Sequence, residues 1–311
     1  MIANIIIGIV LFVSSILIMG ICYELFSTLS TKNKYKTGHG DLIDVGDYRL
    51  HMLSMGKRQE NQPAVVLEAS VGANSLDWQM VQPLVSGFSQ VVSYDRAGNG
   101  WSDKTESIRS PENIVADLHT MLKNADIPPP YVLVGHRYGG MFIRKFQETY
   151  PDDVAGLVLV ESSHPDVFND ENNDAEIKRL QRNVTYFQPV GLVRLVTRRN
   201  YRVNSLEEAQ KDQYVAMMMA DNANLLNEAK PILLNGIQLP DSVDVPLTVV
   251  SRLEDDDLER ERRWSAYQRD LATLSATATH IHTETSSIWM PFDEPKIIAD
   301  AIQEMLREVS N

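Results

Sequence analysis

Apolar residues fall into short blocks along the chain, divided by polar, glycine-bearing or proline-bearing turns. Residues 42–45 and 49–52 flank Gly46-Asp47, a tight-hairpin signal. Residues 64–69, 91–95, 131–136, 154–160, 247–251 and 280–283 are apolar, β-rich runs of strand length. Between them the period changes. Ser110 followed by Pro111 is an N-cap with proline at the first helical position, and Ile114, Leu118 and Leu122 place one apolar face on the helix that follows. Helical spacing is also expected over 139–150 and over 293–309, where Ile297, Ile298, Ile302 and Leu306 recur. Repeated strand–helix alternation predicts an α/β fold, a mainly parallel sheet covered by helices on both faces.

Two stretches break the alternation. Residues 165–245 contain helical patterns, such as 206–227, but no clear strand, and are expected to form a helical cap over the carboxyl ends of the strands. This divides the chain into an anchor and linker at 1–31, a first core part at 32–164, the cap at 165–245 and a second core part at 246–311. Within the cap, Lys178, Arg179, Arg182, Arg194, Arg198, Arg199 and Arg202 occur without an intervening acidic residue, interleaved with Phe187, Val190, Leu192, Val193, Leu195 and Val196. Such a segment is either a solvated helical face or a lid leaning on an anionic membrane surface.

The other stretch is the N-terminus. Residues 2–23 carry no charged side chain, and as a helix they would span roughly 33 Å, close to the thickness of a bilayer core. No basic residue precedes the run and its exit, Ile21-Cys22-Tyr23-Glu24, is bulky, so a retained single transmembrane helix is expected in preference to a cleaved signal peptide. Lys32, Lys34 and Lys36 follow it, which would leave the body of the protein in the cytoplasm.

Composition narrows the function classes. The 311 residues are 43% hydrophobic and 23% charged, ordinary for a globular body, and the net charge of −13 argues against nucleic acid as a partner. The single cysteine, Cys22, builds neither a disulfide framework nor a thiolate metal site, and no motif implies a cofactor.

The chemistry-bearing candidate is Gly135-His136-Arg137-Tyr138-Gly139-Gly140, between a predicted strand and a predicted helix. With Val65–Ala69, Gly72 to Trp78, the Tyr94-Asp95-Arg96-Ala97-Gly98-Asn99-Gly100-Trp101-Ser102 segment, Leu157 to Pro165, and Asp293-Glu294-Pro295, it resembles the α/β-hydrolase family over almost the whole chain after residue 31. The resemblance implies that fold, a pocket under a cap, and, in relatives, a serine–histidine–acid triad. Matched residue by residue, the nucleophile position is Arg137, the histidine position is Ile288, and the acid after the sixth strand is Glu161, with Glu254 to Asp257 as an acidic run after the seventh. A guanidinium stays protonated and isoleucine moves no proton. Loss of serine or histidine from such a triad costs about six orders of magnitude in turnover.

The expected reading is therefore a pseudoenzyme with a degenerate triad, a binding module using the old pocket for a small anionic or apolar ligand. Ser70, Val71 and Tyr138 occupy the positions equivalent to the oxyanion hole. The alternative is an ester-type hydrolase using displaced residues, for which Ser162, Ser163 and His164 are the nearest candidates, although they are more simply caps at the start of the lid. Asp95 and Arg96 are read as loop-fixing partners, and Tyr94, Trp78, Trp101 and Trp289 as core or pocket walls. Arg137 is expected to pair with Glu161 beside the Ile288 side chain, because a guanidinium in a closed pocket needs a carboxylate.

Overall fold

The computed structural model describes residues 2–36, 38–169, 173–199, 206–252, 259–283 and 288–310. The acidic run 254–257, Arg202, and Ser286 and Ser287 lie outside them. Eight strands form one sheet in the order β1-β2-β4-β3-β5-β6-β7-β8. β1 (Asp41–Asp44) and β2 (Arg49–Met55) form the expected antiparallel hairpin, and β2 also runs antiparallel to β4 (Val91–Tyr94). The rest is parallel: β3 (Ala64–Glu68) lies between β4 and β5 (Tyr131–His136), followed by β6 (Val154–Val160), β7 (Leu247–Ser251) and β8 (Thr279–His282).

The apolar runs are continuous because both sheet faces are buried. Val66, Leu133, Leu157 and Leu159 pack with Leu118, Leu122 and Phe146 on one face; Val65, Val132, Val134, Val158 and Val160 pack with Ile298, Ile302 and Met305 on the other. Residues of odd and even parity thus enter different core layers, as strand geometry requires. The helix Pro111–Asn124 begins as its sequence predicts: the Ser110 side chain accepts from the Asn113 N–H and Pro111 occupies the first turn. The C-terminal helix differs. A short helix, Met290–Asp293, stops at Glu294 (φ −131°, ψ 46°), and the long one spans Pro295–Val309. The single helix expected over 293–309 is interrupted because a residue before proline is sterically excluded from the helical region.

Between β6 and β7 the described residues hold helices and no strand: Asn173–Arg182, a π-turn Asn183–Phe187, Leu192–Arg198 and the long helix Glu208–Asn235. The last extends past the expected end at 227 and passes through Pro231. The apolar N-terminal segment is a helix, Ile2–Lys34, long and apolar enough over Ile2–Thr31 to cross a membrane.

Candidate functional site

Arg137 is the one residue between β5 and the helix Tyr138–Thr149. Its backbone (φ 50°, ψ −117°) lies where L side chains rarely sit, at a cost of order 1–3 kcal/mol. The turn is possible only with glycines. A Cβ on Gly135 would lie 2.6 Å from the Gly139 carbonyl carbon, and one on Gly139 would lie 2.4 Å from the Glu68 carbonyl oxygen. The turn is tied to β6: the Arg137 N–H donates to Val160 O (3.1 Å), and Arg137 O accepts from the Ser163 N–H (3.1 Å). The strand, strained turn and helix are those expected from the sequence, and Arg137 stands at the strained position.

The neighbouring strand ends in a second strained residue. Glu161 has φ 45° and is fully buried. Its carboxylate accepts from the Arg252 N–H (2.7 Å) and the Trp264 indole N–H (2.9 Å), with Arg252 Nε 3.7 Å away. Burial pushes this carboxyl above the usual carboxylate range, while the Arg252 N–H and the Arg252 and Arg137 charges pull it down. β5 and β6 are neighbours as expected, yet the expected direct pair is not what forms: among the described residues the ion-pair partner of Glu161 is Arg252, and Arg137 lies over the Trp264 ring, 5.3 Å from its centroid. Arg252 follows β7 directly, so its own N–H and its guanidinium both arrive at the Glu161 carboxylate, and Arg137, whose charge also acts on Glu161, borders a cavity. Arg252 was missed in the sequence although it carries the same signal that singled out Glu161, a charge immediately after a buried strand.

That cavity, about 420 Å³, is lined by Arg137, Tyr138, Ser70, Val71, Gly72 and Asp77 from the core and by Arg179, Leu180, Met218, Leu225 and Ile232 from the helices between β6 and β7, with Trp289 as a further wall. Ser70, Val71 and Tyr138, which the resemblance placed together, all border it. Tyr138 opens its helix, so its N–H has no acceptor within that helix. The Gly72 N–H is engaged instead by the Glu228 carboxylate (3.0 Å). Trp289 and Trp101 are pocket walls and Trp78 is core, as expected, and the Trp101 indole also donates to Tyr35 O (2.9 Å), bracing the segment after the N-terminal helix.

Ile288 is half-buried and meets the elbow through its backbone, its carbonyl 3.1 Å from His136 Nε2. Of the displaced candidates, Ser162 and Ser163 bind the backbone of the elbow, and His164 lies apart from it. Ser162 Oγ donates to backbone carbonyls at Arg137 and Ser163 (3.4 and 3.3 Å). His164 Nε2 lies 2.9 Å from Asp270, its Nδ1 accepts from the Asp166 N–H, its ring stacks on Tyr267, and it borders a different cleft of about 700 Å³. These are the contacts of a capping turn.

The loop-fixing reading of Asp95 and Arg96 is borne out. Asp95 accepts from the N–H groups of Ser75 (2.7 Å) and Trp101 (2.9 Å) and lies 2.8 Å from His51 Nδ1. Arg96, buried, donates to Glu68, Glu228 and the carbonyls of Ala69 and Ser70. Glu228 comes from the long helix Glu208–Asn235, and no sequence signal marked it as Arg96's partner. Burial pushes its carboxyl up, but Arg96's charge and hydrogen bonds outweigh that and hold it low. Asp221 on the same helix accepts from Asn74 Nδ2 and the Gly100 N–H, and burial, with the Asp95 and Glu228 charges, pushes it up to about 8.

The family model described as alpha/beta hydrolase fold matches residues 63–198. The chain superposes on a thermophilic esterase from Thermogutta terrifontis with a TM-score of 0.68 at 18% identity, covering 87% of this chain and 98% of that one. Among curated relatives, it is 31% identical over 143 residues to a probable transporter, efuK, of Hormonema carpetanum (43% of this chain, 20% of that protein). It is 32% identical over 97 residues to the uncharacterized protein YqjL of Bacillus subtilis (31% of this chain, 38% of that protein). The matches thus span well under half of those relatives' own lengths. The chain has the α/β-hydrolase fold.

Proposed function

We propose that this α/β-hydrolase-fold chain is a pseudoenzyme that binds a ligand and does not perform acyl transfer, and that the ligand is a small amphipathic anion held under the cap by Arg137. One observation carries the reading: a guanidinium stands at the nucleophile position, bordering a largely apolar cavity at the positive end of a helix dipole. A cation there is disfavoured by the dipole, and an anion is favoured by both. Arg179 adds a second positive charge at the cavity mouth, and the Leu180, Met218, Leu225 and Ile232 walls suit an apolar tail. The N-terminal helix is read as a retained anchor, with the body on the lysine-flanked, cytoplasmic side.

The test is twofold. Octanoate should raise the melting temperature of the wild-type chain, octanol should not, and Arg137→Met should abolish the shift. Neither the wild-type chain nor Arg137→Ser should hydrolyse small esters or take up a fluorophosphonate probe, because Ile288 leaves a serine at 137 without a base. Hydrolysis by Arg137→Ser equal to that of Arg137→Ser/Ile288→His would overturn the assignment of position 288. Wild-type labelling would overturn the binding-protein reading.

A further inference from the structure

The helix Leu192–Arg198 is built inside out. Its exposed face carries Leu192, Leu195 and Val196, spaced three and four apart, while Arg194 is buried. On a helix facing water the polarity runs the other way. Just before it, Tyr186 and Phe187 are also exposed, Tyr186 at 67% and Val196 at 60%. Exposed apolar residues grouped in this way mark a surface meant for an apolar partner.

The contacts of this segment identify the partner. Arg194 turns inward onto the N-terminal helix: Nε donates to Glu24 Oε2 and Nη2 to Glu24 Oε1, both at 2.8 Å, with Thr28 Oγ1 3.1 Å from Nη2. Two glycines let the backbones meet. A Cβ on Gly20 would lie 2.3 Å from Val190 O, and one on Gly191 would lie 2.9 Å from the Tyr23 ring. The segment is thereby clamped to residues 20–28 of the apolar helix. At 1.5 Å per residue Gly20 lies roughly 27 Å along a span beginning at Ile2, close to the far edge of a hydrocarbon core about 30 Å thick. The bidentate partner also neutralises Glu24, the first charge of the apolar helix, at that depth.

We propose that residues 186–196 form a membrane-interface element, clamped to the anchor through Arg194–Glu24 and Gly20/Gly191, with Tyr186, Phe187, Leu192, Leu195 and Val196 seated at the acyl–headgroup boundary of the bilayer. The element rests on the reading of the N-terminal helix as a retained anchor. Its burial in lipid holds one side of the cap against the membrane, while Arg179 and Leu180, on the preceding cap helix, border the Arg137 cavity. A single-chain anionic lipid would therefore reach that cavity from the bilayer surface.

The experiment uses the full-length chain in vesicles of phosphatidylcholine and phosphatidylglycerol, with Cys22→Ser as background and a nitroxide attached at Tyr186→Cys, Val196→Cys or Leu11→Cys in turn. All three sites are exposed and tolerate a label. Oxygen and a water-soluble nickel complex compete to relax the label. Tyr186→Cys and Val196→Cys should show oxygen-dominated relaxation, approaching that of mid-span Leu11→Cys. Nickel-dominated relaxation at 186 and 196 in a chain that floats with the vesicles overturns the interface element and leaves the anchor standing. A chain that fails to float overturns both.

Discussion

Arg96 and Arg137 both follow strands of the parallel sheet, and they are treated in opposite ways. Arg96 is 2% exposed and makes five hydrogen bonds, as many as a guanidinium has N–H groups, to two carboxylates and two carbonyls. It cements the loop after β4 to the end of β3 and to the long helix Glu208–Asn235. Arg137 is half-buried on a strained turn, lies over Trp264 and borders the cavity, while the adjacent buried carboxylate, Glu161, is held by Arg252. A buried ion needs its full complement of partners to be tolerated, so a guanidinium enclosed on all sides is framework. One placed against a cavity, at a helix N-terminus, is the group to which the proposed function assigns a ligand's charge.

The comparison is broken most directly at Arg96. Arg96→Met leaves Glu68 and Glu228 facing each other without a cation, and should destabilise the fold by about 3–5 kcal/mol in a denaturant titration. A loss below about 1 kcal/mol would remove the distinction between framework and site.

A smaller effect belongs to Asp221, a buried carboxyl of the same interface that the Asp95 and Glu228 charges also face. Its folded pKa of about 8 lies above the ordinary carboxyl value near 4, so between these limits the folded state holds a proton that the unfolded state releases. The stability this contributes is fully present below about pH 4 and is lost as pH rises through about 8. Asp221→Asn should flatten that decline in melting temperature across the interval. An unchanged slope would place the proton elsewhere.

The smallest effect on stability is expected at Arg137, which sharpens the contrast. Arg137→Met should change folding free energy by no more than about 1 kcal/mol while removing the anion-dependent thermal shift. A loss comparable to that of Arg96→Met would make Arg137 framework as well.

The sheet was legible in the sequence because its signals are local. Runs such as 131–136 and 154–160 have strand length and bulk, Ser110-Pro111 announces a helix start, and the glycines around Arg137 mark a turn that nothing larger fits. The same locality identified the chemistry at positions 137, 161 and 288, since residue type alone decides whether a side chain can attack or carry a proton. The break at Glu294 is also written in the chain, in Pro295, although the apolar spacing on either side is continuous.

What the sequence left open is which charges meet. Arg96 and Glu228 are separated by 132 positions, Arg194 and Glu24 by 170, and Glu161 takes its partner from 91 residues away. Coulombic attraction carries no sequence period, and several carboxylates were available to each guanidinium. Only the packing of the long helix Glu208–Asn235 on the loops after β3 and β4, the register of β5, β6 and β7, and the glycine contact between the N-terminal helix and residues 190–191 bring particular pairs within hydrogen-bond reach. Composition and spacing thus determined the strands, the turns and the chemistry each position can carry. The tertiary structure decided which charges meet and which one borders the cavity, because that depends on what lies within a few ångströms in space.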